Sequence, residues 1–234
     1  MSFLDENINK ITNADCLDIL KKLPDKCIDL VLTDPPYGMN YQSGRREEKY
    51  NKIENDCSLE WLPDFLCELQ RVSKDDAHWY IFCSWHNIDV FKQEIEKVKR
   101  VKNILIWNKN NFGSGDLQND YAPQYEMIIF CNNNKPLNGK RISNVLNFAK
   151  TDNYLHPTQK PVDLFGVLIE KSSLENDIVV DCFSGSGTTA VACHNLNRRF
   201  ICIEKDPDYW AKSVKRLEEV QQQISIFDYL KTAE

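Results

Sequence analysis

Short apolar stretches recur along this chain, and most are separated by segments whose apolar residues are spaced three or four positions apart. Seven of these stretches have the length and the β-branched and aromatic content of buried strands: residues 10–13, 29–33, 79–83, 104–107, 126–131, 178–182 and 200–203. Helical patterns cover residues 16–22, 61–72, 87–98, 161–172, 188–195 and 208–223. The alternation predicts an α/β fold in which helices cover both faces of a mostly parallel, seven-stranded sheet.

One pair of predicted strands departs from this alternation. Residues 104–107 and 126–131 have no helical pattern between them. Parallel neighbours need a long crossover connection, usually a helix, so we expect these two strands to form an antiparallel hairpin at the edge of the sheet. Three polar segments, near residues 38–57, 108–122 and 132–155, interrupt the pattern, and we expect them to be small insertions outside the sheet.

Length and composition indicate one globular domain over residues 1–234, since 42% of the residues are hydrophobic. No apolar run approaches the length of a transmembrane helix, and the acidic N-terminus does not have the layout of a signal peptide. The nine cysteines are scattered without a Cys-x-x-Cys pair. We therefore predict a reduced, cytoplasmic protein with no disulfide framework and no metal site.

The run Asp34-Pro35-Pro36-Tyr37 directly follows an apolar stretch that ends at Thr33. Proline fixes its own φ and pushes the preceding residue into extended geometry, so this corner is stiff. The Asp34 carboxylate and the Pro35 carbonyl can both accept hydrogen bonds from one NH2 group, and Tyr37 offers a face on which a flat base can stack. The alternative is an ordinary turn after a strand, because Asp and Pro are common turn residues.

A second motif lies far along the chain, where the apolar run Val179-Val180-Asp181 leads into a turn that contains Gly185 and Gly187. Glycines between a strand and a helix let a ligand approach the backbone closely. The next predicted strand ends at Glu204, about twenty residues on, where an acidic side chain would bind ribose hydroxyls. Asp181 would repel a pyrophosphate but suits a cation such as the α-amino group of a methionine moiety. This combination favours S-adenosylmethionine over a nicotinamide dinucleotide.

Four segments in this order resemble the DNA amino-methyltransferases (the N6-adenine/N4-cytosine family), of the permuted class in which Asp-Pro-Pro-Tyr precedes Phe-x-Gly-x-Gly. They are residues 13–20, 33–38, 156–161 and 181–189, and with the strands between them they span nearly the whole chain. The resemblance implies a Rossmann-like fold, S-adenosylmethionine as the methyl donor and a flipped base in double-stranded DNA as the acceptor.

The resemblance also implies roles for individual residues. Asp34, Pro35, Pro36 and Tyr37 would be catalytic, and Asp34 would also border the cofactor. The other cofactor-binding residues would be Asp15 and Cys16 at the adenine, Asp181 at the amino group, Phe183, Ser184, Gly185, Ser186 and Gly187 around the methionine moiety, Glu204 at the ribose, and His156 and Lys160 at the start of an adjoining helix. For His156, a helix-start hydrogen bond is an equal alternative.

The acceptor base and the partners are less closely defined. The leading Asp of the motif leans toward adenine N6, with cytosine N4, RNA or a protein amide as alternative acceptors and a non-catalytic DNA-binding partner as an alternative function. In a nicotinamide oxidoreductase, the run from Asp34 to Tyr37 would have no function in the reaction. The net charge of −6 requires a local basic surface for DNA, for which we expect Arg45, Arg46, Lys49, Lys140 and Arg141. A homodimer and a cognate restriction endonuclease are candidate partners.

Overall fold

The computed structural model describes residues 2–37, 58–112, 118–151 and 159–232. The strands in these ranges are β1 (Lys10–Asn13), β2 (Ile28–Thr33), β3 (Ser73–Cys83), β4 (Val101–Asn108), β5 (Tyr125–Cys131), β6 (Val145–Asn147), β7 (Ile178–Asp181) and β8 (Arg199–Glu204). The helices are α1 (Phe3–Asn7), α2 (Cys16–Leu20), α3 (Leu62–Val72), α4 (Ile88–Glu96), α5 (Val162–Ser172), α6 (Thr188–Asn195) and α7 (Pro207–Thr232).

All eight strands form one sheet in the order β1-β8-β7-β2-β3-β5-β4-β6. The pairs β1–β8, β8–β7, β7–β2 and β2–β3 are parallel, and β5 is antiparallel to both β3 and β4. The antiparallel hairpin expected from the sequence is therefore present. It is not the last element of the sheet, however, because β6 pairs in parallel with β4, with Ile106 opposite Val145.

Helices cover the sheet on both sides, as the alternation predicted. Along β3, Trp79, Ile81 and Cys83 pack into a core shared with α2, α3 and α4, whereas Tyr80 and Phe82 pack into a core shared with α5, α6 and α7. This period of two is the side-chain alternation of a strand that is buried on both faces. The strand ends are consequently the only part of the central sheet open to a ligand.

The structure contains three features that the apolar pattern did not predict. Strand β6 was missed because it has three residues and two of them are exposed. The first residues of β3 were missed because Lys74, Asp75 and Asp76 are polar and exposed. Helix α1 begins at a capping box, in which Ser2 and Asp5 each bond to the other's backbone N–H, and it is only five residues long.

In the described parts of the chain, no helix is both long enough and apolar enough to cross a bilayer. The eight cysteines within those parts are free thiols, and most are buried. Burial raises the pKa of the Cys16 thiol to about 12, so this group stays protonated at neutral pH. Buried cysteines of this kind pack as small apolar side chains.

Candidate active site

The two sequence motifs meet at one edge of the sheet. Strands β2 and β7 are parallel neighbours, with Leu30 opposite Val179 and Val31 opposite Val180, so the turns that follow them leave the sheet side by side. After β2 the chain continues to β3 on one side, and after β7 it continues to β8 on the other. In open α/β sheets the crevice at such a reversal of strand order is where ligands bind.

A buried hydrogen-bond cluster ties the two corners together. Thr33 Oγ1 donates to Asp181 Oδ1 over 3.0 Å, and the Cys182 backbone N–H donates to Thr33 Oγ1 over 3.1 Å. Asp181 also accepts hydrogen bonds from Thr189 Oγ1 and from the Phe183 backbone N–H. Its side chain is buried, and burial raises its pKa to about 7. The sequence assigned Asp181 to the amino group of the cofactor, but in this structure its oxygens hold the protein's own corners in place.

The Asp34 carboxylate lies at the centre of the crevice with a donor on each oxygen. Tyr37 Oη donates to Oδ1, and Lys160 Nζ donates to Oδ2. Lys160 Nζ also lies 3.1 Å from Glu126 Oε2, and Lys109 Nζ lies 2.7 Å from Glu126 Oε1. Burial raises the pKa of Asp34, Lys160 opposes that rise, and the Glu126 charge adds to it.

Lys160 lies just before α5, and its predicted role at the cofactor stays a prediction. Its Nζ points to the Asp34 carboxylate, over the ring of Phe82 at 5.3 Å from the centroid. Burial alone would lower the pKa of Lys160, but the Asp34 and Glu126 carboxylates raise it above its usual value. Lys160 is consequently a cation at neutral pH although its side chain is almost fully buried.

Glu126 and Lys109 are site residues that the sequence analysis missed. Glu126 belongs to the apolar strand β5, and a carboxylate within an apolar strand was the one signal that could have drawn attention to it. Lys109 directly follows β4, which is the antiparallel neighbour of β5. The hairpin places Lys109 against Glu126 and Glu126 against Lys160, and this proximity depends on strand pairing that the sequence pattern could not specify.

Tyr37 is fixed at both of its ends. Its hydroxyl donates to Asp34, and its backbone carbonyl accepts a hydrogen bond from Asn87 Nδ2, just before α4. Burial raises the pKa of the Tyr37 hydroxyl well above its usual value, so it remains a donor. The corner at residues 34–37 is thereby linked to the turn that follows β3.

The glycine-rich turn has the backbone conformation that its sequence predicts. Gly185 and Gly187 have φ values of +50° and +75°. A Cβ atom on Gly187 would lie 3.1 Å from Ser213 Cβ and 3.2 Å from Ile11 Cδ1. A residue with a side chain would therefore be crowded at this position as well as strained by the positive φ. Ser184 Oγ is buried at this turn without a hydrogen-bond partner in the part of the chain that the structure describes.

Glu204 ends β8 beside the same turn. Its carboxylate accepts hydrogen bonds from the Gly185 N–H over 2.7 Å and from the Asp206 N–H over 2.9 Å. Each oxygen keeps a further lone pair for a hydroxyl donor. Burial raises the pKa of Glu204 above its usual value.

Asp15 and Cys16 reach the same edge of the sheet through β1, in which Asn13 lies opposite Glu204. Asp15 is the N-cap of α2: its Oδ1 accepts from the Leu17 N–H over 3.0 Å. The other oxygen, Oδ2, lies 3.4 Å from Lys205 Nζ. The two residues expected at the adenine therefore lie next to the residue expected at the ribose.

Phe183 packs edge-on against Phe65 in the first turn of α3 and at a tilt against Trp61, which precedes that helix. Its ring centroid lies 5.6 Å from that of Trp61 and 5.4 Å from that of Phe65. Aromatic pairs at these distances add about 0.5–1.5 kcal/mol beyond the area they bury. This packing anchors the glycine-rich turn against the helical layer formed by α2, α3 and α4.

The structure does not bring Lys140 and Arg141, the two predicted DNA-contacting residues that it describes, to the crevice. The Lys140 carbonyl accepts a hydrogen bond from Lys171 Nζ, and Lys171 is in the last turn of α5, whose first turn follows Lys160. Eleven residues of helix are about 16 Å long, so Lys140 and the neighbouring Arg141 lie toward the opposite end of the sheet from Asp34. The other predicted DNA-contacting residues, Arg45, Arg46 and Lys49, lie outside the described residues, as does His156, which was predicted at the cofactor.

Comparison with known proteins decides the family. A sequence profile described as DNA methylase matches residues 28–215 of this chain. The chain belongs to this DNA methylase family. The family predicted from the four motifs is thus confirmed. The chain is 31% identical over 216 residues to a protein named as a methylase, YubD of Escherichia coli (strain K12), with 92% of each chain covered.

The names of other relatives specify the type of methyltransferase. The Type II methyltransferase M2.MboI of Moraxella bovis is 27% identical, with 92% of this chain and 89% of the relative covered. The DNA adenine methyltransferase YhdJ of Escherichia coli (strain K12) is 28% identical, with 89% of this chain and 82% of the relative covered.

Solved structures confirm the fold. The M1.HpyAVI-SAM complex superimposes with a TM-score of 0.70 at 26% identity, covering 89% of this chain and 98% of the other. The PvuII DNA methyltransferase, described as cytosine-N4-specific, superimposes with a TM-score of 0.72 at 19% identity, with 92% of each chain covered. The predicted Rossmann-like methyltransferase fold with its mostly parallel sheet is the fold of this chain.

Proposed function

We propose that this DNA methylase transfers the methyl group of S-adenosylmethionine to the exocyclic N6 of adenine in double-stranded DNA. The observation that carries this proposal is the position of the Asp34 carboxylate, which opens into the same crevice as the turn containing Gly185 and Gly187. Adenine is favoured over cytosine N4 because the motif begins with Asp and because YhdJ, 28% identical, is named as an adenine methyltransferase.

The residues around the glycine-rich turn fit S-adenosylmethionine. The left-handed Gly185 has no side chain to keep a ligand from the backbone, and the buried Ser184 hydroxyl has hydrogen-bonding capacity that the described protein groups do not use. The Glu204 carboxylate, fixed by two backbone N–H groups, has the acceptor geometry for two ribose hydroxyls. When bound, the cofactor supplies an electrophilic methyl group on a sulfonium centre.

Asp34 supplies the chemistry at the acceptor nitrogen. An exocyclic amine is a poor nucleophile because its lone pair is delocalised into the ring. The Asp34 carboxylate and the Pro35 carbonyl accept its two hydrogens, which favours a tetrahedral nitrogen and stabilises the positive charge that grows there. The nitrogen–methyl bond forms as the sulfur–methyl bond breaks, and one amine proton then leaves to Asp34 or to water. Alignment of the amine with the methyl provides much of the remaining acceleration.

A base in a duplex has to leave the stack to reach Asp34, and we propose that Tyr37 stacks on it. Exposed aromatic side chains support a nucleic-acid partner at this edge of the sheet. Trp85 follows β3 and Phe112 follows β4, and Tyr125 begins the antiparallel β5; their side chains are among the most exposed large apolar groups of the described chain. Aromatic platforms bind unstacked bases without requiring many positive charges, which suits a protein with a net charge of −6.

Further proposals follow from the sequence alone. We propose one methyltransferase domain over residues 1–234, in which the segments near 38–57, 108–122 and 132–155 contact DNA. A second copy of the chain and a cognate restriction endonuclease are the proposed partners, and the cytoplasm is the proposed location. The short insertions support dimer formation, because a small recognition region gains DNA contacts when two copies bind together.

Transfer of label from tritiated S-adenosylmethionine tests the function. We expect incorporation into duplex DNA, no incorporation into RNA of the same sequence, and N6-methyladenine as the labelled nucleoside after digestion. Label in N4-methylcytosine would support the alternative acceptor. No label in any DNA from a set of diverse sequences, while the protein binds the cofactor, would contradict the proposal.

Replacement of Glu204 tests the cofactor site. In Glu204→Gln one carboxylate oxygen becomes an NH2 group, which faces a backbone N–H as a second donor and no longer accepts from a ribose hydroxyl. Hydrogen bonds to a charged group contribute about 1.5–3 kcal/mol, so we expect a roughly 10- to 100-fold weaker affinity for S-adenosylmethionine by isothermal titration calorimetry. Glu219→Gln, on the exposed side of α7, is the matched control and should bind like the wild type. Equal affinities for the two variants would remove Glu204 from the site.

A further inference from the structure

The ion pair of Asp34 is part of a row of four charges that spans the sheet from β2 to β4. Asp34 follows β2, Glu126 is on β5, Lys109 follows β4, and Lys160 precedes α5. Lys160 Nζ contacts both carboxylates, with an Nζ–Oε2 distance of 3.1 Å to Glu126, and Lys109 contacts only the far oxygen of Glu126 over 2.7 Å. The signs alternate along the row, and the side chain of Lys160 is the most buried of the four.

We propose that Lys160 and Glu126 are positioning residues that set the charge of the catalytic carboxylate, an inference that rests on the methyl-transfer function proposed above. Lys160 keeps Asp34 ionised in a place where burial favours the neutral acid. Glu126 balances Lys160, so that the three groups nearest the acceptor amine (Asp34, Lys160 and Glu126) keep a net negative charge.

The need for Lys160 follows from the hydrogen bonds that the reaction requires. A neutral Asp34 would carry an O–H donor and would have one acceptor fewer for the amine hydrogens. Burial pushes this carboxyl group toward the neutral form, and the Glu126 charge pushes it in the same direction. The ammonium group of Lys160, bonded directly to Oδ2, is the cation that opposes both effects.

The need for Glu126 follows from the charge that develops on the amine. Asp34 and Lys160 alone form a neutral pair, which gives little stabilisation to a nitrogen that becomes cationic. A second carboxylate against Lys160 returns a negative charge to the group next to the reacting atoms. Lys109 is the outermost member of the row and contacts Glu126 but not Asp34. Its effect on the amine is therefore weaker than the effects of Lys160 and Glu126.

Two of the remaining titratable groups around Asp34 are uncharged at neutral pH, and the third, Asp181, is partly ionised there. Burial raises the pKa of the Cys83 thiol on β3 to about 12, and burial also raises that of the Tyr37 hydroxyl. Asp181, at the end of β7, has a pKa raised to about 7 by its own burial. Among the described residues, Lys160 and Glu126 are therefore the two groups whose full charges act on Asp34.

The test compares three variants with a matched control. Lys160→Met removes the cation at nearly constant length, Glu126→Gln removes the second carboxylate, and the double variant removes both. Lys92→Met is the control, since it removes an exposed lysine that pairs with Glu96 on α4 and has no role in the site. Single-turnover methyl transfer is measured from about pH 5 to about pH 9, where the acid limb of the rate profile reports ionisation of an essential base.

We expect the acid limb of the rate profile to shift in opposite directions in the two single variants, Lys160→Met and Glu126→Gln. Loss of Lys160 raises the pKa of Asp34, so the limb shifts to higher pH by roughly 1–3 units. Loss of Glu126 removes a like charge, so the limb shifts to lower pH by about one unit, while the plateau rate falls because the amine cation is less well stabilised. The double variant should lie between the two, and Lys92→Met should stay within a few tenths of a unit of the wild type.

The pKa of Asp34 can also be measured without catalysis, by NMR of protein labelled with ¹³C at the aspartate carboxyl carbons. Asp34→Asn is used to assign the Asp34 signal. If the wild type transfers no methyl group, the proposed function fails, and the Asp34 titration still decides this inference. If Lys160→Met does not fold, Glu126→Gln alone decides it. The proposal would be overturned if the acid limb of the rate profile and the Asp34 titration stay at the wild-type pH in these variants. It would also be overturned if they shift in the same direction in both single variants.

Discussion

Asp34→Ala is expected to reduce single-turnover methyl transfer by about 10²–10³-fold, because this carboxylate is one of only two acceptors proposed for the amine hydrogens. Asp34→Asn should lose nearly as much although it keeps the shape of the side chain, since its NH2 group points a donor at an amine that needs acceptors. Both variants should still bind S-adenosylmethionine, because Ser184 follows β7 and Glu204 ends β8, so neither side chain is altered by a change at the end of β2. The measurements are a rapid-quench assay with labelled cofactor and calorimetry for cofactor affinity.

Asp29→Asn is the matched control for Asp34. Asp29 is a buried carboxylate on the same strand, and it pairs with Lys74 and accepts a hydrogen bond from the Ile178 N–H over 2.9 Å. It lies at the other end of β2, so its replacement should lower the free energy of unfolding without changing the transfer rate of the folded protein. If Asp29→Asn and Asp34→Asn lost transfer to the same extent, the effect would be one of folding, and Asp34 would have no special role in catalysis.

Asp181→Ala is expected to lower the free energy of unfolding by roughly 3 kcal/mol at pH 5, since an unsatisfied buried donor costs about 1–3 kcal/mol. The substitution leaves three donors without their acceptor: the hydroxyls of Thr33 and Thr189 and the Phe183 N–H. These bonds join β2 to β7, so the two corners of the crevice should loosen together. Guanidinium denaturation monitored by circular dichroism measures the change.

The pH dependence of this effect has a definite sign. The pKa of Asp181 is raised from 3.8 to about 7 by burial, so between these values the folded protein binds more protons than the unfolded chain. Its contribution to stability therefore falls as pH rises from about 4 to about 7 and is constant above that range. Asp181→Asn does not titrate, so its stability relative to the wild type should improve as pH rises through this window. A difference between Asn variant and wild type that stays constant with pH would contradict the raised pKa.

Much of the architecture follows from local patterns that the sequence carries by itself. The seven predicted strands and six predicted helices are present because apolar residues with periods of two and near 3.6 have few other ways to be buried. The stiff Asp34-Pro35 corner and the left-handed Gly187 are equally local, since proline and glycine fix or free the backbone wherever they occur. Strand β6 escaped prediction because three residues with a single buried side chain carry no periodic signal.

The family and the two corners of the site were thus determined by the sequence, whereas the charge environment of Asp34 was decided by tertiary structure. Lys160 is 126 positions from Asp34, and Glu126 and Lys109 come from a hairpin whose pairing partner is set by the whole sheet. Asp181 reads as an open ligand group in the sequence, but the structure surrounds it with the protein's own donors. Hydrogen bonds and ion pairs between residues far apart in the chain depend on which strand ends become neighbours, and periodicity along a single chain does not contain that information.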